Sequence, residues 1–187
     1  MRYFLELSYN GKNHAGWQRQ DNAVSVQAIL EENLSKIINT KIEVVGCGRT
    51  DAGVHAKQYF AHVDIEKELP ENFLYRVNNM LPDDIAIHQI FDVNPDLHAR
   101  FDAMQRTYKY FIHFEKDPFL AEQSFLLKNK QIDIEKINQC LLQLIGEHDF
   151  YCFEKKGSDN KTSICTLNHA IFEQNENGLV FTITANR

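Results

Sequence analysis

Between Tyr3 and Phe91 the spacing of apolar side chains switches repeatedly between a two-residue and a 3.6-residue period, and few folds accept that succession. Tyr3, Leu5, Leu7 and Tyr9 alternate with Arg2, Phe4, Glu6 and Ser8, the pattern of a strand with one buried face. A turn-rich stretch, 10–22, follows. Ser25 is placed to cap a helix in which Val26, Ile29, Leu30, Leu34, Ile37 and Ile38 fall at helical spacing, ending near Asn39. Ile42 to Val45 reads as a short strand that runs into a glycine-rich loop. Tyr59 to Ile65 reads as another, with Phe60 and His62 on the opposite face from Tyr59, Ala61 and Val63. Pro70 is expected to open a second helix at its first turn. Phe73, Leu74, Val77 and Leu81 give that helix an apolar side, and Pro82 stops it. Ile85 to Phe91 alternates again. The order β-α-β-β-α-β is the ferredoxin-like arrangement of an α+β protein.

A second series begins at Arg106. Residues Arg106 to Phe114 read as a strand, with Tyr108, Tyr110, Ile112 and Phe114 on one face. Asp133 is a candidate cap for a helix carrying Ile134, Ile137, Leu141, Leu144 and Ile145, with Gly146 beyond its end. Ile164 to Glu173 and Leu179 to Ala185 read as strands, and Asn177-Gly178 between them is a hairpin signal. This gives two lobes, residues 1–104 and 105–187. Measured against the first, the second lobe lacks a helix and a strand, so the expectation is a C-terminally truncated piece of a longer protein.

The 187 residues are enough for one large or two small cores. No apolar run approaches the length of a membrane span, and Met1 to Glu6 has no signal-peptide shape, which predicts a cytoplasmic protein. The four cysteines, Cys47, Cys140, Cys152 and Cys165, include no CxxC pair, so reduced thiols are expected. The net charge of −6 argues mildly against a nucleic-acid partner, but such binding depends on local patches. From Leu97 to Lys116, Arg100, Arg106, Lys109 and Lys116 outweigh Asp102 and Glu115. Lys155, Lys156 and Lys161 form a second basic spot.

The densest chemical constellation is Gly46-Cys47-Gly48-Arg49-Thr50-Asp51-Ala52-Gly53-Val54-His55-Ala56. Its glycines permit unusual backbone angles and close approach of a ligand. A cation such as Arg49 near Asp51 would keep a nucleophilic carboxylate ionised. The same residues also fit a tight structural loop stapled by an Arg–Asp pair, and the pattern alone leaves both readings open. Tyr108 and Tyr110, beside Arg106 and Lys109, fit either a base-stacking surface or a core-facing stripe. Trp17 fits either a loop anchor or an RNA-facing side chain. The histidines lack metal-ligand spacing, and no GxSxG elbow, P-loop or GxGxxG fingerprint occurs.

Gly48-Arg49-Thr50-Asp51-Ala52-Gly53-Val54-His55 resembles the signature of the TruA family of tRNA pseudouridine synthases. The resemblance continues in order along the chain. It includes Ser8-Tyr9-Asn10-Gly11, Gly16-Trp17-Gln18-Arg19-Gln20, Ser25-Val26-Gln27 and Asn78-Asn79-Met80-Leu81-Pro82-Asp83-Asp84-Ile85. It then includes His98-Ala99-Arg100-Phe101, Arg106-Thr107-Tyr108-Lys109-Tyr110, His148-Asp149-Phe150 and Thr184-Ala185-Asn186-Arg187. The resemblance implies that Asp51 is the catalytic nucleophile and that Arg49 fills the space left by a flipped uridine. It implies that Tyr108 stacks on the target base. It implies that two segments touch RNA: Leu97, His98, Ala99, Arg100 and Phe101, and Gly157, Ser158, Asp159, Asn160 and Lys161. It further implies two ferredoxin-like lobes with joined antiparallel sheets, a homodimer, no metal or cofactor, and uridines at positions 38 to 40 of the tRNA anticodon arm as substrate. A second catalytic-site arginine expected beyond Arg187 is absent from the sequence, which predicts little activity for these residues alone.

Two other readings make different predictions. A noncatalytic RNA-binding module would tolerate Asp51→Ala, and it would carry RNP-type aromatics that are not present. A metal-dependent phosphohydrolase would use Asp51, His55 and Asp64, and no spacing supports it.

Overall fold

The computed structural model describes residues 1–128, 132–154 and 162–186, and divides into two compact units, Met1–Ala103 and Met104–Arg187. The fold is α+β. The strands form two sheets, and each unit is described by itself.

The first unit begins with β1 (Arg2–Tyr9), whose side chains alternate strictly between half-buried and buried. Helix α1 (Val26–Ile38) follows, then β2 (Val44–Gly46), β3 (Ala56–Asp64), α2 (Phe73–Met80) and β4 (Ile85–Val93). The sheet order is β2-β3-β1-β4, antiparallel throughout. Leu5 and Leu7 of β1, Ala61 and Val63 of β3 and Ile85 and Ile87 of β4 close over Val26, Leu30 and Leu34 of α1 and Phe73 and Val77 of α2. Each fully buried leucine or valine here contributes roughly 1.5–3 kcal/mol.

The first helix starts where Ser25 Oγ accepts the Ala28 N–H (3.3 Å) and stops at Asn39, which adopts the left-handed conformation (φ 56°). The second starts later than Pro70 suggests. The Pro70 carbonyl accepts the Phe73 N–H in a preceding turn (3.1 Å), and Asn72, at φ 58°, leads into the helix without a side-chain cap.

Two features of α1 tie down its surroundings. The Gln27 amide donates to the Val44 carbonyl of edge strand β2 (2.9 Å), while its Oε1 accepts the Arg19 N–H (2.9 Å). Buried Glu31 accepts from Val44 N (3.2 Å) and from the Arg19 guanidinium (2.8 Å). Strand β2 is only three residues long, so these bonds fix the take-off point of the loop that follows it. At the other end of that loop β3 enters with a bulge: Leu7 pairs with Tyr59 but Tyr9 pairs with Ala56. One extra residue on β3 twists the strand where it leaves the loop.

The second unit contains β5 (Arg106–His113), β6 (Phe125–Leu126), α3 (Ile134–Leu142), β7 (Gly146–Asp149), β8 (Ile164–Asn175) and β9 (Gly178–Ala185), in the sheet order β6-β5-β9-β8-β7. The β5–β6 pair is parallel, so this sheet is mixed rather than wholly antiparallel. Asp133 caps α3 by accepting the Lys136 N–H (3.0 Å), and that bond with the Lys136 ammonium holds its carboxyl below the usual range. Asn138 fastens the helix to β8 by pairing with both backbone groups of Phe172 (2.9 and 2.8 Å). The β8–β9 hairpin closes at Asn175 and Gly178, so its loop residues are Glu176 and Asn177. No helix among the described residues is long and apolar enough to cross a membrane.

Candidate active site

The loop connecting β2 to β3 displays Arg49, Asp51 and His55 as exposed residues. Thr50, between Arg49 and Asp51, is half-buried, and backbone groups on both sides of Asp51 are tied to neighbouring segments. Thr50 Oγ1 lies 2.8 Å from the Tyr9 hydroxyl, and the Thr50 carbonyl accepts the Trp17 N–H (3.1 Å). The Tyr59 hydroxyl bonds to the Gly48 carbonyl and also accepts the Gly48 N–H (3.3 Å). On the far side of Asp51, Gly53 donates to the His14 carbonyl (3.3 Å), Val54 donates to the Asp51 carbonyl (3.2 Å), and His55 Nδ1 accepts the Gly11 N–H (3.1 Å). Asp51 is therefore exposed at its side chain and anchored through its neighbours on both sides.

The anchors belong to one aromatic cluster. The Trp17 ring centroid is 4.2 Å from that of Tyr59 and 6.2 Å from that of Tyr9, and Tyr9 meets Tyr59 edge-on at 5.7 Å. Trp17 is 2% exposed, which settles it as a loop anchor. Burial pushes the Tyr59 phenol well above its ordinary value, so it remains a neutral hydrogen-bonding group. Two glycines make the cluster possible. A Cβ on Gly46 would collide with the Tyr59 hydroxyl and the Trp17 ring, and Gly16, at φ 84°, leaves room for the Thr50 carbonyl. The segment bearing Gly16 is held in turn by α1, since Val26 N donates to the Gly16 carbonyl (3.2 Å).

Arg49 and Asp51 form no ion pair with each other among the described residues; both are exposed. A stapling Arg–Asp pair is thus not what shapes this loop. Asp64, the third member of the metal-site reading, is engaged by the Arg2 guanidinium at 2.9 and 2.8 Å, which holds its carboxyl below the usual range.

Leu97 to Phe101 lies against the face of the first sheet opposite the helices. Its centre, Ala99, is 3% exposed, while Leu97, Arg100 and Phe101 are exposed. Tyr108 sits on β5 in the second unit and is 49% exposed; Tyr110 is similarly open and 6.4 Å from Phe125, so neither belongs to a core stripe. Gly157, Ser158, Asp159, Asn160 and Lys161 lie outside the described residues, as do Lys155 and Lys156.

Among the braces, Trp17 is a candidate loop anchor from the sequence, whereas the bracing roles of Tyr9, Tyr59 and Thr50 are not legible there. Tyr9 and Tyr59 occupy buried strand positions, so their periodicity marks them as core; only their hydroxyl tips reach the loop.

The first unit thus holds the Asp51 carboxylate outward on a braced loop, open to an incoming ligand. Residues 7–102 match the family model described as tRNA pseudouridine synthase. The tRNA pseudouridine synthase A of Parabacteroides distasonis is 44% identical over 188 residues, which cover 100% of this chain and 74% of that protein. The Bacteroides fragilis protein of the same name is 42% identical, covering 100% of this chain and 75% of its own length. That of Francisella tularensis subsp. holarctica is 39% identical, covering 98% and 72%. The chain belongs to the tRNA pseudouridine synthase family, a family of isomerases.

Proposed function

We propose that this chain carries the nucleophile, Asp51, of an enzyme that isomerises uridine to pseudouridine at positions 38 to 40 of the tRNA anticodon stem-loop. The observation that carries the reading is the stance of Asp51: an exposed carboxylate whose flanking residues are pinned by Tyr9, Trp17, Tyr59 and His14. Pinning the backbone places the carboxylate before substrate arrives, so little ordering cost remains for the reaction.

The reaction needs no net redox change. The N1–C1′ bond breaks, the uracil turns, a C5–C1′ bond forms, and the C5 proton is lost while N1 gains one. Asp51 acts as an ionised carboxylate, either forming a transient bond to the sugar or base or assisting glycosidic cleavage. The target base must first leave its stack, at a cost of a few kcal/mol. Arg49 occupies the vacated space, and Tyr108 stacks on the base, a contact worth about 1–3 kcal/mol. The segments Leu97–Phe101 and Gly157–Lys161 contact the RNA backbone and shape. The reading includes a homodimer working in the cytoplasm.

The test maps pseudouridine by carbodiimide modification and primer extension. An unmodified tRNA transcript with uridines at 38, 39 and 40 is incubated with the protein expressed at the full length of its gene. Stops at one or more of these positions support the assignment; stops elsewhere only, or none, refute it.

A further inference from the structure

We propose that His62 is a positioning residue for tRNA binding, which fixes the segment Leu97–Phe101 in its RNA-touching shape by accepting the Ala99 N–H. The inference rests on the reading that this segment contacts tRNA. His62 lies on β3, on the sheet face that does not carry the helices, opposite Phe4 in the register and stacked on it at 6.0 Å. By strand alternation it belongs on the open face, yet it is 3% exposed, because the Leu97–Asp102 segment covers it.

The contact is specific. His62 Nδ1 accepts the N–H of buried Ala99 (3.1 Å). An imidazole can do this only when Nδ1 is unprotonated. Burial first, then Arg2 and His98, push the His62 pKa down to about 4, so the ring is neutral at neutral pH, and the Ala99 N–H selects the tautomer protonated on Nε2. On one side of Ala99, the Leu97 carbonyl accepts from Arg2 (2.8 Å), and Arg2 is itself held by Asp64. On the other side, the His98 ring packs 4.7 Å from His62 and 4.2 Å from Phe101. His98 Nδ1 accepts the N–H groups of Arg100 (3.1 Å) and Phe101 (3.4 Å), and Asp102 Oδ2 accepts that of His98 (2.6 Å).

The result is a tight turn seated on His62. It displays Phe101, 74% exposed, with the Arg100 guanidinium 5.8 Å from its ring centroid. An exposed aromatic ring with a guanidinium over it suits contact with a base and an adjacent phosphate. His62 touches neither; it acts through Ala99.

The test compares His62→Leu, which removes the acceptor, with His62→Asn, whose Oδ1 falls near the position of Nδ1. The tRNA dissociation constant and the single-turnover rate at saturating tRNA are measured for each. His62→Leu should bind tRNA about tenfold more weakly, as expected for a lost hydrogen bond to a buried N–H, with the saturating rate within twofold. His62→Asn should recover most of the affinity. Combined with Phe101→Ala, His62→Leu should add little further loss, because both act on one element. Wild-type affinity in His62→Leu, no recovery in His62→Asn, or a loss confined to the saturating rate would overturn the proposal. If Phe101→Ala alone leaves affinity unchanged, the RNA-contact reading fails instead. Should His62→Leu not fold, hydrogen exchange on the unaltered protein decides. Slow exchange of the Ala99 amide before tRNA is added supports a preset segment, and exchange as fast as that of exposed loop amides overturns it.

Discussion

Lowering the pH from 7 to 5 should weaken the first unit through one residue. His62 titrates near 4 in the folded protein, against an ordinary value of 6.5, because it is buried beside Arg2 and His98. Between those values the unfolded chain takes up a proton that the folded chain refuses, so stability falls as the pH drops through 6.5 and levels off below the folded value. The full gap corresponds to about 3 kcal/mol, of which about 2 kcal/mol is lost by pH 5. Asp64 does not contribute in this window, since Arg2 holds its carboxyl below 3.8. Urea unfolding can be followed by the fluorescence of Trp17, the single tryptophan, which is buried in the same unit. Contributions shared by two proteins cancel, so the quantity to measure is a difference between proteins. Wild type should lose about 2 kcal/mol more than His62→Asn, which keeps an acceptor but does not titrate. Parallel losses in the two proteins would refute the assignment of a buried, neutral His62.

Tyr59→Phe should reduce stability by roughly 1–3 kcal/mol, because the Gly48 carbonyl loses its phenol partner, and should lower kcat while leaving KM for tRNA nearly unchanged. Steady-state kinetics beside urea unfolding would check both halves. Ser25→Ala should cost about 1 kcal/mol by removing the cap of α1, read as a lower urea midpoint with unchanged slope.

The legible parts of this fold are those in which local pattern and tertiary demand coincide. Strand β1 alternates in sequence and in burial, and α1 carries its own start at Ser25 and stop at Asn39. Strands β6 and β7 escaped because two and four residues at sheet edges carry no periodicity; pairing with β5 and β8 defines them. The second helix starts later than the pattern suggests because Pro70 fits a helix start, whereas the left-handed Asn72 interposes a turn. The loop around Asp51 stood out by composition and by its family resemblance. Its tyrosine braces do not, since a tyrosine in a core pattern gives no sign that its hydroxyl reaches a loop. His62 was hidden for the related reason that strand alternation places it on the open face, and only the later segment at Ala99 covers it.

The central claim is that Asp51 carries out the isomerisation. Loss of the C5 hydrogen accompanies each turnover, so tRNA tritiated at uridine C5 releases label to water as product forms. The measurement compares the protein, expressed at the full length of its gene, with Asp51→Ala and Asp51→Asn. The account predicts release by the unaltered protein and none above background by either variant, with both variants folded and still binding tRNA. Equal release from the variants, or no release from the unaltered protein, would contradict it.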